Sequence, residues 1–92
     1  MSEIPDNVVI VGKKPIQAYL LAIANHVASG MNEIIVKAMG RNISKAVDVV
    51  NRSLRGMANS YKISDVNIDT AELELEDGKK KYVSTIEIKL KK

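Results

Sequence analysis

Cysteine is absent from this 92-residue chain, which excludes disulfides and thiolate metal sites. Phe and Trp are also absent and Tyr occurs only three times, so any core is built from Ile, Val, Leu, Ala and Met. A lone histidine, His26, rules out a His-rich metal site; it falls beside an apolar stripe with no carboxylate adjacent and reads as a boundary residue. No apolar run approaches bilayer-spanning length, and Met1 to Asn7 are polar and unlike a signal sequence. The expectation is a soluble cytoplasmic protein. Stacking binders of single strands need several exposed aromatics on one platform, and Tyr19, Tyr61 and Tyr82 are too scattered to form one.

What is present suits one small domain, residues 1–92, with residues 1–6 expected to be loose and 46% of the chain hydrophobic. Net charge is only +3, but its distribution is uneven. Residues 1–60 carry seven Lys/Arg against four Asp/Glu, and residues 61–92 carry seven against seven. In the second part Glu72, Glu74, Glu76 and Asp77 come first, followed by Lys79, Lys80 and Lys81. Segregation of this kind can give a nearly balanced protein one basic face. The glutamates occupy alternate strand positions, which is the pattern of a solvated face rather than an acid/base site.

Four β-branched residues in Val8–Val11 predict a short buried strand over 8–12. Ile16, Tyr19, Leu20, Ile23 and Val27 recur at helical spacing and predict a helix over 15–29, stopped by Gly30. Residues 33–39 read as a second strand, so the first two strands should be parallel. After Gly40 a second helix follows, with Ile43, Ala46, Val47, Val50, Leu54 and Met57 as its apolar stripe. Residues 61–76 alternate, but the phase slips, which predicts a bulge near Asp69-Thr70. Glu76-Asp77-Gly78-Lys79 carries the Asp-Gly hairpin signal, and residues 82–91 alternate again. The order β-α-β-α-β-β predicts an α/β (α+β) two-layer sandwich, a four-stranded mixed sheet with two helices on one face.

Gly12-Lys13-Lys14-Pro15 stands at the first strand-to-helix junction. Its lysines, the free N–H groups of a helix start and the positive end of the helix dipole all favour a bound anion. Taken alone, two lysines in a turn could merely be solvated. Arg41 to Lys45 form a second basic helix start, and in a strand-helix-strand-helix unit both starts lie at the same sheet edge. Convergence of two basic starts favours nucleic acid. No nucleophile, base and orienter stand at a recognisable spacing, so no enzyme, cofactor, metal or small-molecule substrate is expected. A phosphate-metabolite site would need a closed pocket with a convergent acid or base.

Three blocks carry a resemblance: Asn7-Val8-Val9-Ile10-Val11-Gly12-Lys13-Lys14-Pro15, Gly40-Arg41-Asn42-Ile43-Ser44-Lys45-Ala46-Val47-Asp48, and Val83-Ser84-Thr85-Ile86-Glu87-Ile88. In this order, over nearly the whole chain, they resemble the signature blocks of the Alba family. These are small archaeal chromatin proteins whose relatives include eukaryotic RNase P and MRP subunits. The resemblance implies a fold similar to the C-terminal domain of bacterial initiation factor three, and a homodimer that binds double-stranded DNA and RNA with little sequence preference. It implies phosphate contacts by Lys13, Lys14, Arg41, Asn42 and Lys45, and groove or backbone contacts by a hairpin tip at Lys79, Lys80 and Lys81. It also implies regulatory acetylation at Lys13 and association with the chromosome in the cytoplasm.

Two departures bear on strength of binding. Many members have Arg-Gly-Arg where this chain has Met39-Gly40-Arg41, so one basic contact is missing. Many carry an aromatic near the end of the second helix that joins dimer to dimer on DNA, and Met57 is the nearest equivalent here. The expected role is therefore a chromatin protein that coats or compacts duplex DNA, with dense dimer-dimer coating in doubt. The alternative is a part in RNA metabolism, as an RNA chaperone or a subunit of an RNA-processing particle.

Overall fold

The computed structural model describes residues 7–92, so the expectation for residues 1–6 lies outside the described residues. The elements are β1 (Val8–Ile10), α1 (Ile16–Ala28), β2 (Glu33–Met39), a 3₁₀ turn (Gly40–Asn42), α2 (Ile43–Arg55), β3 (Lys62–Glu74) and β4 (Lys80–Lys91). The sheet runs β1-β2-β4-β3, with β1 parallel to β2 and the other pairs antiparallel. This is the mixed four-stranded sheet with two helices that the pattern predicts.

One face of the sheet supplies the core. Val9, Ile34, Val36, Ala38, Ile88 and Leu90 are buried and meet Tyr19 and Ile23 of α1 and Ala46, Val49 and Val50 of α2. Burying each Val, Ile or Leu side chain of this set contributes about 1.5–3 kcal/mol, the main term in holding so small a domain together. α1 begins one residue after Pro15, whose φ of −58° suits the approach to a helix. It ends where Gly30, at φ 76°, turns its N–H back to Val27 O while Met31 N–H reaches His26 O.

The stripe predicted on α2 is only half right. Ala46, Val49, Val50 and Ser53 are the residues buried, and the Ser53 hydroxyl is satisfied by donating to Val49 O at 2.8 Å. Val47 and Met57 are exposed, and Ile43 and Leu54 are partly buried. The apolar arc of α2 is wider than the contact this chain offers it. Its small residues, Ala46 and Ser53, face the interior, where close approach is needed.

The bulge lies elsewhere than predicted. Register shifts between Ile63 and Asp65, and from Asp65↔Lys89 to Glu74↔Lys80 the pairing is unbroken. The shift brings Ile63, opposite Leu90, into phase with Val66 and Ile68, opposite Ile88 and Ile86. No irregularity is needed at Asp69-Thr70 because the environment changes there instead. β2 ends at Met39, opposite Thr85, and beyond it β3 and β4 continue alone from Thr70↔Ser84 to Glu74↔Lys80. Ala71 and Leu73 thus alternate onto the second face of a two-stranded arm. A turn at 75–79 closes the arm, with Leu75 N–H donating to Lys79 O at 2.8 Å and Gly78 N–H to Leu75 O at 3.0 Å.

Candidate nucleic-acid interface

β1 and β2 are parallel and each runs directly into a helix start, so the Gly12–Pro15 turn and the Gly40–Asn42 turn lie at one edge of the sheet. The arm projects from this same end by roughly 15 Å, at about 3.4 Å per residue pair. Lys13, Lys14 and Arg41 are exposed, and Asn42 and Lys45 are half-buried. Gly40 makes the tight entry to the 3₁₀ turn at φ 59°, and a Cβ there would stand 3.3 Å from Val83 Cγ1, at the root of the arm.

The two basic starts are joined by a direct link. Lys45 Nζ donates to Gly12 O at 2.7 Å and to Lys14 O at 3.0 Å, reaching from the first turn of α2 across to the other turn. Tyr19 Oη accepts the N–H of Gly12 at 2.8 Å and of Lys14 at 3.1 Å. The Gly12 and Lys14 amides are therefore occupied within the protein. What the turn offers a ligand is the side chains of Lys13 and Lys14. Nothing in the sequence marks Tyr19 for this role, since its spacing places it on an ordinary core stripe.

The lysines of the arm are placed differently. Lys80 pairs with Glu72 at 2.9 Å and Lys79 with Asp77 at 3.9 Å, while among the described residues no such ion pair involves Lys81. Over residues 70–84 four carboxylates accompany three lysines, so the arm carries no net positive charge of its own. Lys79, Lys80 and Lys81 are separated from the Lys13 turn by the length of the ribbon. Tyr19 and Tyr61 are buried, with the Tyr61 hydroxyl donating to Met31 O, and Tyr82 on the arm is exposed.

A cleft of about 400 Å³ lies on the sheet face away from the helices, lined among others by Ile10, Lys37, Met39 and Glu87. Neither Lys13, Lys14, Arg41 nor Lys45 lines it. Among the described residues no three His, Asp or Glu side chains come together as a metal site, and no helix is long and apolar enough to cross a membrane.

The Alba family model matches residues 7–70. The chain belongs to the Alba family. An archaeal relative from Nanoarchaeum equitans, named DNA/RNA-binding protein Alba, is 45% identical over 86 residues, covering 91% of this chain and 96% of its own length. Another of the same name, from Methanocella arvoryzae, is 41% identical over 87 residues, with 95% and 91% covered. The solved structure of Alba from Thermoplasma volcanium matches at a TM-score of 0.88 and 40% identity, over 94% of this chain and all of that one. The Alba fold and the three sequence blocks thus agree: the first block ends in the lysine turn, the second opens α2, and the third lies on β4 from the root of the arm inward.

Proposed function

We propose that this Alba chain is a non-enzymatic, nucleic-acid-binding homodimer that coats or compacts double-stranded DNA at the chromosome and also binds RNA. One observation carries the reading. Lys13, Lys14 and Arg41 are exposed at one sheet edge, on two helix starts that Lys45 ties together. Fixed, convergent cations suit a regular array of phosphates, and affinity then comes from counterion release rather than from base contacts. Asn42 adds a neutral donor beside them. Lys79, Lys80 and Lys81 would extend contact along the duplex as a weaker, secondary set, since carboxylates accompany them on the arm.

The dimer reading is supported by an uncovered apolar surface. Val66 and Ile68 lie on the core face of the sheet opposite Ile88 and Ile86, yet they are 48% and 80% exposed. Val47 of α2, Met57 just beyond its end and Ile63 of β3 are exposed as well. An exposed set of this kind is what a second copy would bury. Two copies joined there would double the number of lysine turns and arms available to one duplex. Lys13, as an exposed amine on the binding turn, is the position where acetylation would lower affinity by removing one charge.

A role in RNA metabolism uses the same surface, and the relatives' shared name, DNA/RNA-binding protein, keeps it open. Competition between a DNA duplex and a structured RNA at physiological salt, with molecular mass measured by light scattering, tests the proposal. Binding to several unrelated DNA sequences with similar affinity by a particle of twice the chain mass is expected. A monomer that prefers one sequence, or RNA bound to the exclusion of DNA, overturns it.

A further inference from the structure

The main chain of Gly12 and Lys14 is held from within the protein at its N–H groups and its carbonyls alike. Both N–H groups donate to one hydroxyl, Tyr19 Oη, and both carbonyls accept from one ammonium, Lys45 Nζ, at distances of 2.7–3.1 Å. Exposed turns usually give such groups to water and keep several arrangements. Here four polar groups converge on two side chains, one from α1 and one from α2. Lys13 stands between these two held residues, and its side chain and that of Lys14 are left to solvent.

We propose that Tyr19 and Lys45 are positioning residues of the nucleic-acid face, which clamp the Gly12–Pro15 turn to α2 so that Lys13, Lys14 and Arg41 meet phosphates already arranged. This rests on the reading of Lys13 and Lys14 as phosphate contacts. It also changes the part given to Lys45. An ammonium has three donors, and two of these point into the protein. Its position is half-buried while Lys13 and Lys14 are exposed. Lys45 therefore acts on the ligand mainly through the turn. Holding the turn in its bound form beforehand removes an ordering cost from association, which is how a clamp raises affinity without touching the ligand.

Tyr19→Phe isolates this effect because it deletes one oxygen and no charge. The measurements are affinity for one DNA duplex at fixed low salt, and hydrogen exchange at the Gly12 and Lys14 amides with core amides such as Ile23 and Val49 as reference. The proteins compared are the natural chain, Tyr19→Phe, Lys13→Ala/Lys14→Ala, and the triple variant. Tyr19→Phe should weaken binding roughly three- to tenfold, the range set by losing neutral hydrogen bonds. Exchange should quicken at Gly12 and Lys14 and stay unchanged in the core. In the Lys13→Ala/Lys14→Ala background, Tyr19→Phe should cause no further loss, since nothing remains on the turn to position.

Lys45→Met keeps an unbranched aliphatic side chain and deletes both donors, and it should quicken exchange at the same two amides. It also carries the test if Tyr19→Phe lowers protection throughout the core. If Lys13→Ala/Lys14→Ala weakens binding and Tyr19→Phe does not, the clamp is wrong and the phosphate contacts stand. Equal loss from Tyr19→Phe in both backgrounds overturns the clamp too, because the hydroxyl then acts elsewhere. If Lys13→Ala/Lys14→Ala binds like the natural chain, the underlying reading fails and the clamp with it.

Discussion

The Lys45 ammonium lies over the face of the Tyr19 ring, 5.9 Å from its centroid, and the two side chains bond the main chain of the same two residues, one as acceptor and one as donor. Tyr19 takes the N–H groups of Gly12 and Lys14, and Lys45 takes their carbonyls. The ring also offers its negative face to the cation, an attraction of about 0.5–1 kcal/mol at a partly exposed site. α1, α2 and the turn ahead of α1 are thus one mechanical unit at the sheet edge that carries the basic side chains.

The arm offers a contrast that can be measured. Lys80 is held by Glu72 at 2.9 Å, so part of its charge is already answered within the protein. Glu72→Gln should free it and remove a carboxylate that repels phosphate, tightening duplex binding a few-fold in a low-salt titration. Stability should change by less than about 0.5 kcal/mol, as for most surface substitutions. By the same logic Lys81→Ala should weaken binding more than Lys80→Ala, and both less than Lys13→Ala.

Gly40 ties the second basic turn to the root of the arm. With φ at 59° and a Cβ position 3.3 Å from Val83 Cγ1, Gly40→Ala is strained by its backbone and crowded by its neighbour. The left-handed conformation alone costs about 1–2 kcal/mol for a residue with a side chain. Thermal unfolding should show a midpoint lower by roughly 4–8 °C per kcal/mol for a domain of this size. Binding should weaken at the same time, because Arg41 follows directly.

Ile68 is the most exposed of the large apolar residues on the core face of the sheet, at 80%. If the proposed dimer forms through this face, Ile68→Asp should leave the domain folded and halve the particle mass in light scattering. Its duplex affinity should fall more than tenfold, since one set of turns then replaces two. Retention of the dimer would place the contact between copies on another surface.

Much of this was legible in the chain. The periodicities of 16–27 and 82–91, Gly30 as a stop and the Asp77-Gly78 turn come from local rules, and the structure has them all. Where reading failed, the missing information was not local. The stripe on α2 took in Val47 and Met57 and omitted Val49, because apolar spacing does not say how much of a helix one chain covers. The phase change along β3 reads as a bulge at Asp69-Thr70 only if the whole strand belongs to the sheet. Met39 ends β2 opposite Thr85, which makes the rest an arm, and no feature of residues 61–76 announces where β2 ends. Lys45 looked like one more basic residue at a helix start. Its partners, Gly12 and Lys14, are more than thirty residues away, and only the crossing of α1 and α2 brings them within reach.

The central claim, that the exposed lysines of one turn neutralise phosphates, is tested most directly by the dependence of log K on log salt. The natural chain and Lys13→Ala/Lys14→Ala should be titrated on two DNA duplexes of unrelated sequence. The account predicts a shallower slope for the variant, by about 0.9 for each phosphate contact removed, and the same on both sequences. An unchanged slope, or a loss confined to one sequence, would contradict it.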